Sequence, residues 1–342
     1  MPEYITANTL YKLMESFPLI DVRSPAEFLN GHIPGAYNIP LFTNEERALV
    51  GTRYKKSGKD FAIELGLEIV GPKMLEYVRQ AKNIAVEKTL IMHCWRGGMR
   101  SASMAWLFET VGLKVYLLEG GYKNYRHVNR EKLGDAKKII ILSGYTGSGK
   151  TEILKALQNK GEQIIDLEGL AHHKGSAFGA IGQEPQPSNE QFENNLTFEW
   201  SKLDLNKPIW IEDESITMGK NGIPDTLFNT MRKAPVIRIE IPQSVRALRL
   251  VKEYACFDSA LLEKAIYRIA SRLGPQNTKA SLDALAKNDF SEVARLTLSY
   301  YDKAYLKGLL KREPESIIYL PVSDDNPDST AEKLIELANK LT

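Results

Sequence analysis

Two short segments carry residues whose types and spacing could do chemistry. The first, Gly144-Tyr145-Thr146-Gly147-Ser148-Gly149-Lys150-Thr151, fits G-x-x-x-x-G-K-[ST] and stands between the apolar run Ile139-Ile140-Ile141-Leu142 and the helix-forming stretch 152–157. Gly144, Gly147 and Gly149 free the backbone to turn, so that successive N–H groups, Ser148 among them, converge on phosphate oxygens at a helix N-terminus. Lys150 adds a point charge and the Thr151 hydroxyl a ligand for Mg²⁺. Downstream, the strand-like Ile209-Trp210-Ile211 ends in Glu212-Asp213-Glu214. P-loop proteins place there the carboxylate that holds Mg²⁺ or its waters, with Asp213 the better candidate and Glu212 the alternative. Such a loop reads as a di- or triphosphate site. No guanine-recognition motif accompanies it, which leaves diphosphate esters other than nucleotides open.

The second segment is His93-Cys94-Trp95-Arg96-Gly97-Gly98-Met99-Arg100-Ser101. A cysteine at the end of a strand-like run, a glycine-bearing loop and an immediate helix should wrap N–H groups around the sulfur. Together with the helix N-terminus and Arg96 or Arg100 they would stabilise an anion on or next to it. Cys94 is then a nucleophile or a chalcogen carrier, since a merely buried thiol needs neither Gly97-Gly98 nor two arginines. Cys256 has no such surroundings and reads as structural. Two cysteines are too few for a disulfide framework or a four-cysteine zinc site. His172 and His173 have no matching cluster elsewhere, so no structural metal is expected; the pair is expected along the phosphate cleft.

Both segments need a strand before them and a helix after them. Strand-like runs at 18–22, 89–93 and 114–118 alternate with helical runs at 25–29 and 100–111, an α/β pattern whose ligand site lies beyond the carboxyl ends of parallel strands. A second series has strand candidates at 139–142, 163–167, 208–211, 236–241 and 316–322. A helical insertion is expected at about 244–312, and a final helix, capped at Asp328-Ser329-Thr330, through Leu341. The expected organisation is a first domain over 1–127, a basic linker over 128–138 and a P-loop domain over 139–342.

A chain of 342 residues, 43% hydrophobic and 26% charged, suits two globular domains of roughly 100–200 residues each and excludes a disordered or fibrous chain. No run approaches the ~20 apolar residues of a membrane span, and Met1-Pro2-Glu3-Tyr4 does not begin a signal peptide, so a cytoplasmic protein without a membrane partner is expected. The net charge of +2 is too balanced to announce a nucleic-acid partner, which must rest on local clusters. Arg126 and Arg130 stand in the basic segment 123–138. Lys303, Lys307 and Lys311 recur every fourth residue beside Arg312, Tyr300, Tyr301 and Tyr305, and could form a phosphate-tracking face with stacking aromatics. Arg268 and Arg272 form a similar pair. Lysines at that spacing are also ordinary on a solvated helix face.

Residues 18–126 resemble a rhodanese domain in Asp21-Val22-Arg23, Glu27-Phe28, Gly31-His32-Ile33-Pro34-Gly35-Ala36, Asn38-Ile39-Pro40, the Cys94 loop and Leu118-Glu119-Gly120-Gly121-Tyr122. Followed by a P-loop domain carrying Leu167-Glu168-Gly169-Leu170-Ala171-His172-His173-Lys174-Gly175-Ser176 and Trp210-Ile211-Glu212-Asp213-Glu214-Ser215, the chain resembles the tRNA 2-selenouridine synthase family. The resemblance implies an α/β fold: a rhodanese-like domain, then a P-loop NTPase-like parallel-sheet domain with a helical insertion. It implies replacement of sulfur by selenium in a wobble 2-thiouridine of tRNA through an S-geranyl intermediate. Geranyl diphosphate and selenophosphate would be the substrates, Cys94 the selenium carrier, Mg²⁺ an aid at the P-loop and a selenophosphate-supplying enzyme a partner. Phe178, Phe192, Phe198 and Trp200 could line a prenyl pocket, though core packing explains them as well. Sulfurtransferase loops usually bring the arginine five positions after the cysteine, whereas Arg100 comes six after Cys94. C-x5-R is also the spacing of rhodanese-fold phosphatases. A phosphatase fused to a kinase-like P-loop domain is therefore the alternative, and a loop widened for selenium explains the spacing equally.

Overall fold

The computed structural model describes residues 2–323 and 325–340. The chain divides into two compact units, Met1–Lys132 with Glu193–Ser201, and Leu133–Phe192 with Lys202–Thr342.

The first unit is built on a five-stranded sheet of β1 (Glu3–Ile5), β2 (Leu19–Asp21), β3 (Tyr37–Asn38), β4 (Thr89–His93) and β5 (Lys114–Leu118) in the order β1-β5-β4-β2-β3. Every pairing is parallel. β4 is buried along its whole length, as a central parallel strand covered on both faces must be. Leu90 and Met92 enter one apolar cluster and Ile91 the other, the alternation that a pleated strand imposes. The short edge strands β1 and β3 had no apolar run to announce them. A helical hairpin, Asn44–Ser57 and Lys59–Val70, fills a stretch without a clear apolar period.

At the carboxyl end of β2 lies a charged pair. Asp21 and Arg23 are both fully buried, with Arg23 Nη2 2.6 Å from Asp21 Oδ2 and 2.7 Å from the Gly31 carbonyl. The guanidinium stacks 3.8 Å from the Tyr122 ring centroid. Asn38 ties the same turn by donating to the carbonyls of Asp21 and Arg23, each at 2.9 Å. The Asp-Val-Arg, Gly-His-Ile and Gly-Gly-Tyr motifs thus meet at one guanidinium.

The boundary between the units, after Lys132, falls inside the expected linker at 128–138, but the first residues of that stretch are helical. Helix Gly121–Glu131 runs through its first residues because Tyr122, Tyr125 and Asn129 recur on one buried face, while the basic residues occupy the other. The first unit also recruits Glu193–Ser201. Asn194 donates to the Tyr122 hydroxyl at 2.6 Å and to the His32 carbonyl at 2.9 Å, and Phe198 packs 5.9 Å from Tyr11 between ring centroids.

The second unit holds a five-stranded parallel sheet of β6 (Ile139–Gly144), β7 (Gln163–Ile165), β8 (Ile209–Glu212), β11 (Val236–Glu240) and β12 (Ile317–Pro321), in the order β12-β11-β6-β8-β7. A two-stranded ribbon, β9 (Thr217–Met218) and β10 (Asn221–Gly222), follows β8. Ile140, Leu142, Trp210, Ile237 and Ile239 present one sheet face to helices Lys150–Asn159 and Pro327–Lys340. The expected end of that last helix, Leu341, lies outside the described residues. Four helices, Gln243–Tyr254, Ser259–Leu273, Pro275–Ala286 and Phe290–Leu309, occupy the stretch read as an insertion. Among the described residues no helix is long and apolar enough to cross a membrane.

Removing one partner of a buried ion pair leaves an uncompensated charge, a loss of about 3–5 kcal/mol. Asp21→Ala should destabilise the first unit by that amount in urea unfolding, and Arg23→Met added to it should recover a large part. A double variant no more stable than the single one would contradict this account.

Candidate active sites

In the first unit Cys94 follows β4 directly, at the carboxyl edge of the sheet, and is 3% exposed. The loop that carries it is clamped from outside. The N–H groups of Tyr122 and Lys123 donate to the carbonyls of Cys94 and Trp95, both at 2.9 Å. Gly121 has a left-handed φ of +61°, and a Cβ there would lie 2.5 Å from Gly97 N and 2.9 Å from Arg96 N. Only glycine lets the two loops approach so closely, which gives Gly120-Gly121 its purpose. Ser101, fully buried on the first turn of helix Met99–Thr110, directs its hydroxyl to the Cys94 sulfur at 3.2 Å. It can donate to an anion carried there.

The two arginines of the loop part company. Arg100 is turned to Glu27, with Nη1 2.8 Å from Oε2 and Nη2 3.4 Å from Oε1, while Arg96 is exposed. Burial alone would raise the Glu27 pKa, but Arg100 and the Ser24 N–H hold it below the usual carboxylate range. His93 lies behind the cysteine, and burial keeps it below its ordinary pKa despite Asp21 Oδ2 at 3.7 Å.

In the second unit the phosphate loop joins β6 to helix Lys150–Asn159, and Gly149 N-caps that helix with a left-handed φ of +76°. Among the described residues the buried Ser148 Oγ has no hydrogen-bond partner, a donor available to a phosphate oxygen. Around Lys150 stand more acids than one cation can pair with. Glu168 accepts from the Thr151 hydroxyl at 3.0 Å, Glu212 accepts from the Glu168 N–H at 2.7 Å, and Glu214 lies 3.9 Å from Lys150 Nζ. Burial alone would lower the Lys150 pKa, but Glu168, Glu214, Glu212 and Asp213 raise it. Burial and mutual repulsion push Glu212 well above the carboxyl range and Glu214 up to about 8.

Asp213 is committed elsewhere. Its oxygens accept from Ser143 at 2.8 Å, Tyr305 at 3.1 Å and Arg312 at 2.8 Å. The Tyr305 hydroxyl also accepts from the Gly144 N–H at 2.9 Å, and Arg312 donates to the Met231 carbonyl at 2.9 Å. Asp213 thereby bolts the end of helix Phe290–Leu309 to the start of the phosphate loop. That helix forms one wall of a cavity of 780 Å³. The loop, Lys150, Thr151, Glu168 and Glu214 line one part of it, and Phe178, Leu262, Phe290, Val293 and Tyr301 an apolar part.

Comparison with known proteins settles the family. The profile of the tRNA 2-selenouridine synthase AAA domain matches residues 137–320, and that of the rhodanese-like domain residues 6–128. The tRNA 2-selenouridine synthase of Shewanella sediminis is 35% identical over 93% of this chain and 95% of its own, and that of Proteus mirabilis 35% identical over 93% and 96%. The enzyme of the same name from Nitrosomonas europaea is 38% identical over 69% of this chain and 63% of its own. The chain belongs to the tRNA 2-selenouridine synthase family. The α/β architecture expected from the family resemblance, a rhodanese-like domain followed by a P-loop domain, is the one observed.

Within this family member, Gly144, Gly147, Ser148, Gly149, Lys150 and Thr151 all line one cavity; Asp213 lines it too but is held by Ser143, Tyr305 and Arg312, and Glu212 accepts from the Glu168 N–H. Among the described residues no group of three His, Cys, Asp or Glu side chains could by itself hold a metal ion. Arg126 is ion-paired with Glu193, and Arg130 lies 3.5 Å from the same carboxylate. Lys303 and Lys307 are exposed, but helix Phe290–Leu309 ends before Lys311, which lines the cavity. The expected stacking aromatics Tyr300, Tyr301 and Tyr305 also line the cavity, and Arg312 is buried. Nor do His172 and His173 line it: His172 Nδ1 is 3.0 Å from the Pro185 carbonyl, and His173 is buried. Of the aromatic residues considered for a prenyl pocket only Phe178 lines it; Phe192 and Trp200 are buried core. Glu168, Glu214, Ser101 and Tyr305 carry no spacing signal of their own.

The raised pKa of Glu214 has a consequence for stability. The folded protein keeps a proton that the unfolded chain releases above its ordinary carboxyl value of 4.5, so this contribution is complete below 4.5 and is lost as pH rises to about 8. Glu214→Gln is neutral throughout. Its melting temperature should match the parent's near about pH 5, exceed it increasingly up to about pH 8 and hold that margin beyond. Parallel melting curves across that range would contradict the assignment.

Proposed function

We propose that this protein replaces sulfur by selenium at the 2-position of a wobble thiouridine in tRNA, by way of an S-geranyl intermediate, with the two chemistries divided between its two units. The observation that carries the reading is the cavity of the second unit, where a phosphate loop and an apolar wall line the same 780 Å³. An amphiphilic diphosphate such as geranyl diphosphate uses both parts, its diphosphate on the loop N–H groups and Lys150, its hydrocarbon against Phe178, Leu262, Phe290 and Val293.

In the first half-reaction the thiocarbonyl sulfur attacks the first carbon of the prenyl chain, the carbon–oxygen bond breaks, diphosphate leaves and the ring N3–H loses its proton to solvent. Lys150, the loop amides and the Ser148 hydroxyl stabilise the charge that gathers on the leaving oxygens. A Mg²⁺ ion suits the same place: the Thr151 hydroxyl and Glu168, 3.0 Å apart, would hold it, and Glu212 Oε2 is buried with no hydrogen-bond partner among the described residues. When bound it would neutralise the leaving diphosphate.

In the second half-reaction the thioether is a leaving group that the thiocarbonyl was not. Selenium of a selenophosphate held at the Cys94 loop adds at C2 of the uridine, the C2–sulfur bond breaks and geranyl thiol departs, and water then cleaves the selenium–phosphorus bond to leave selenouridine and phosphate. Ser101 and the helix N-terminus beside Cys94 suit an anionic chalcogen. The phosphatase alternative draws on C-x5-R alone, and Arg100, the arginine it requires, is bound to Glu27.

The test is nucleoside mass spectrometry on thiouridine-containing tRNA incubated with geranyl diphosphate and selenophosphate. Selenouridine should form with the native protein, the S-geranyl nucleoside should accumulate with Cys94→Ala, and unmodified thiouridine should persist with Lys150→Ala. S-geranylation at the native rate by Lys150→Ala would refute the division of labour.

A further inference from the structure

We propose that Arg249 is the second cationic wall of the phosphate site, its guanidinium placed to bind diphosphate oxygens in exchange for the carboxylates of Glu152 and Asp325; this rests on the reading that the loop holds a diphosphate. The helix that carries it, Gln243–Tyr254, is docked on the phosphate loop by Arg246. That buried side chain donates to the carbonyls of Thr146 at 3.1 Å and Ile241 at 3.2 Å, and grips Asp302 with both terminal nitrogens at 2.9 and 2.8 Å. Three residues on, and so on the same helix face, Arg249 reaches over the loop. A Cβ built on Gly149 would lie 2.6 Å from Arg249 Nη2, so the guanidinium stands directly against the residue that opens the phosphate-binding helix. Arg249 lines the cavity together with Gly149, Lys150 and Thr151.

The two arginines differ in what holds them. Arg246 has backbone acceptors and an almost closed environment, which makes it a fixed strut. Among the described residues Arg249 is held by side-chain acids alone: Glu152, 2.8 Å away and 54% exposed, and Asp325, 35% exposed. Carboxylates at a wet rim lose little when water replaces the guanidinium, so they are exchangeable partners. A diphosphate also needs more positive charge than Lys150 supplies, because Lys150 is already shared among Glu168, Glu214, Glu212 and Asp213. The planar fork of an arginine matches two phosphate oxygens at once, which a lysine cannot do.

The experiment is calorimetric titration of the full-length protein with inorganic pyrophosphate in the presence of Mg²⁺. Arg249→Ala should weaken binding about 10- to 100-fold, the range expected for charge-assisted hydrogen bonds. Glu152→Gln and Asp325→Asn, exposed changes that release Arg249, should each tighten it severalfold, and the gain from Glu152→Gln should vanish when Arg249 is already alanine. Undiminished binding by Arg249→Ala overturns the proposal, as does an equal gain from Glu152→Gln with and without Arg249. Lys150→Ala separates the two levels. Weakened binding there beside undiminished binding by Arg249→Ala refutes the clamp alone, whereas no effect from either refutes the diphosphate reading of the loop as well.

Discussion

One lysine among four acids is the constraint on which the second unit depends. Lys150 cannot pair with Glu168, Glu212, Glu214 and Asp213 together, and the structure resolves the excess in different ways. Asp213 is paired with Arg312 and becomes a structural bolt, while burial and repulsion raise Glu212 and Glu214 above the usual carboxyl range. Glu168 is left beside Thr151, the position from which a carboxylate can act on whatever the loop binds. Removing the Arg312 contact would not merely free one acid. It would return a charge to a place that already has too many, and unfasten helix Phe290–Leu309 from the phosphate loop.

That fastening links packing to chemistry. The apolar wall of the cavity belongs to a helical insertion, and an insertion gains a fixed relation to a sheet only through specific contacts. Tyr305 and Arg312 provide them by meeting Ser143, Gly144 and Asp213 at the carboxyl ends of adjacent strands β6 and β8. The first unit uses a parallel device. Asp21 and Arg23 form a buried pair at the carboxyl end of β2, and the ring of Tyr122 stacked on it leads into the turn that clamps the Cys94 loop. In both units a buried charge pair fixes the loop that carries the reactive group.

The strands that hold the sites were legible because they are short, apolar and followed by loops of distinctive composition. Ile139 to Leu142 and Thr89 to His93 are buried throughout, so their residue types announce them. The phosphate loop was legible because glycine, lysine and threonine at that spacing serve one purpose. What escaped the sequence came from tertiary structure. Glu193 to Ser201 joins the first unit through Asn194, a residue with no local signature. Asp213 looked like a cation ligand from its place after β8, but Arg312, 99 residues away, claims it. Tyr300, Tyr301 and Tyr305 looked like a stacking surface because periodicity assigns residues to a helix face without saying whether that face meets solvent or a cavity.

The central claim is that the phosphate loop and the apolar wall serve one amphiphilic ligand. Calorimetric comparison of geranyl diphosphate, inorganic pyrophosphate and ATP over a range of temperatures tests it most directly, since burial of a hydrocarbon chain makes the heat-capacity change of binding negative. The account predicts that geranyl diphosphate binds more tightly than pyrophosphate, with a more negative heat-capacity change, and that Val293→Asp weakens the former while sparing the latter. Equal affinities and equal heat-capacity changes for the two, or tighter binding of ATP than of either, would contradict it.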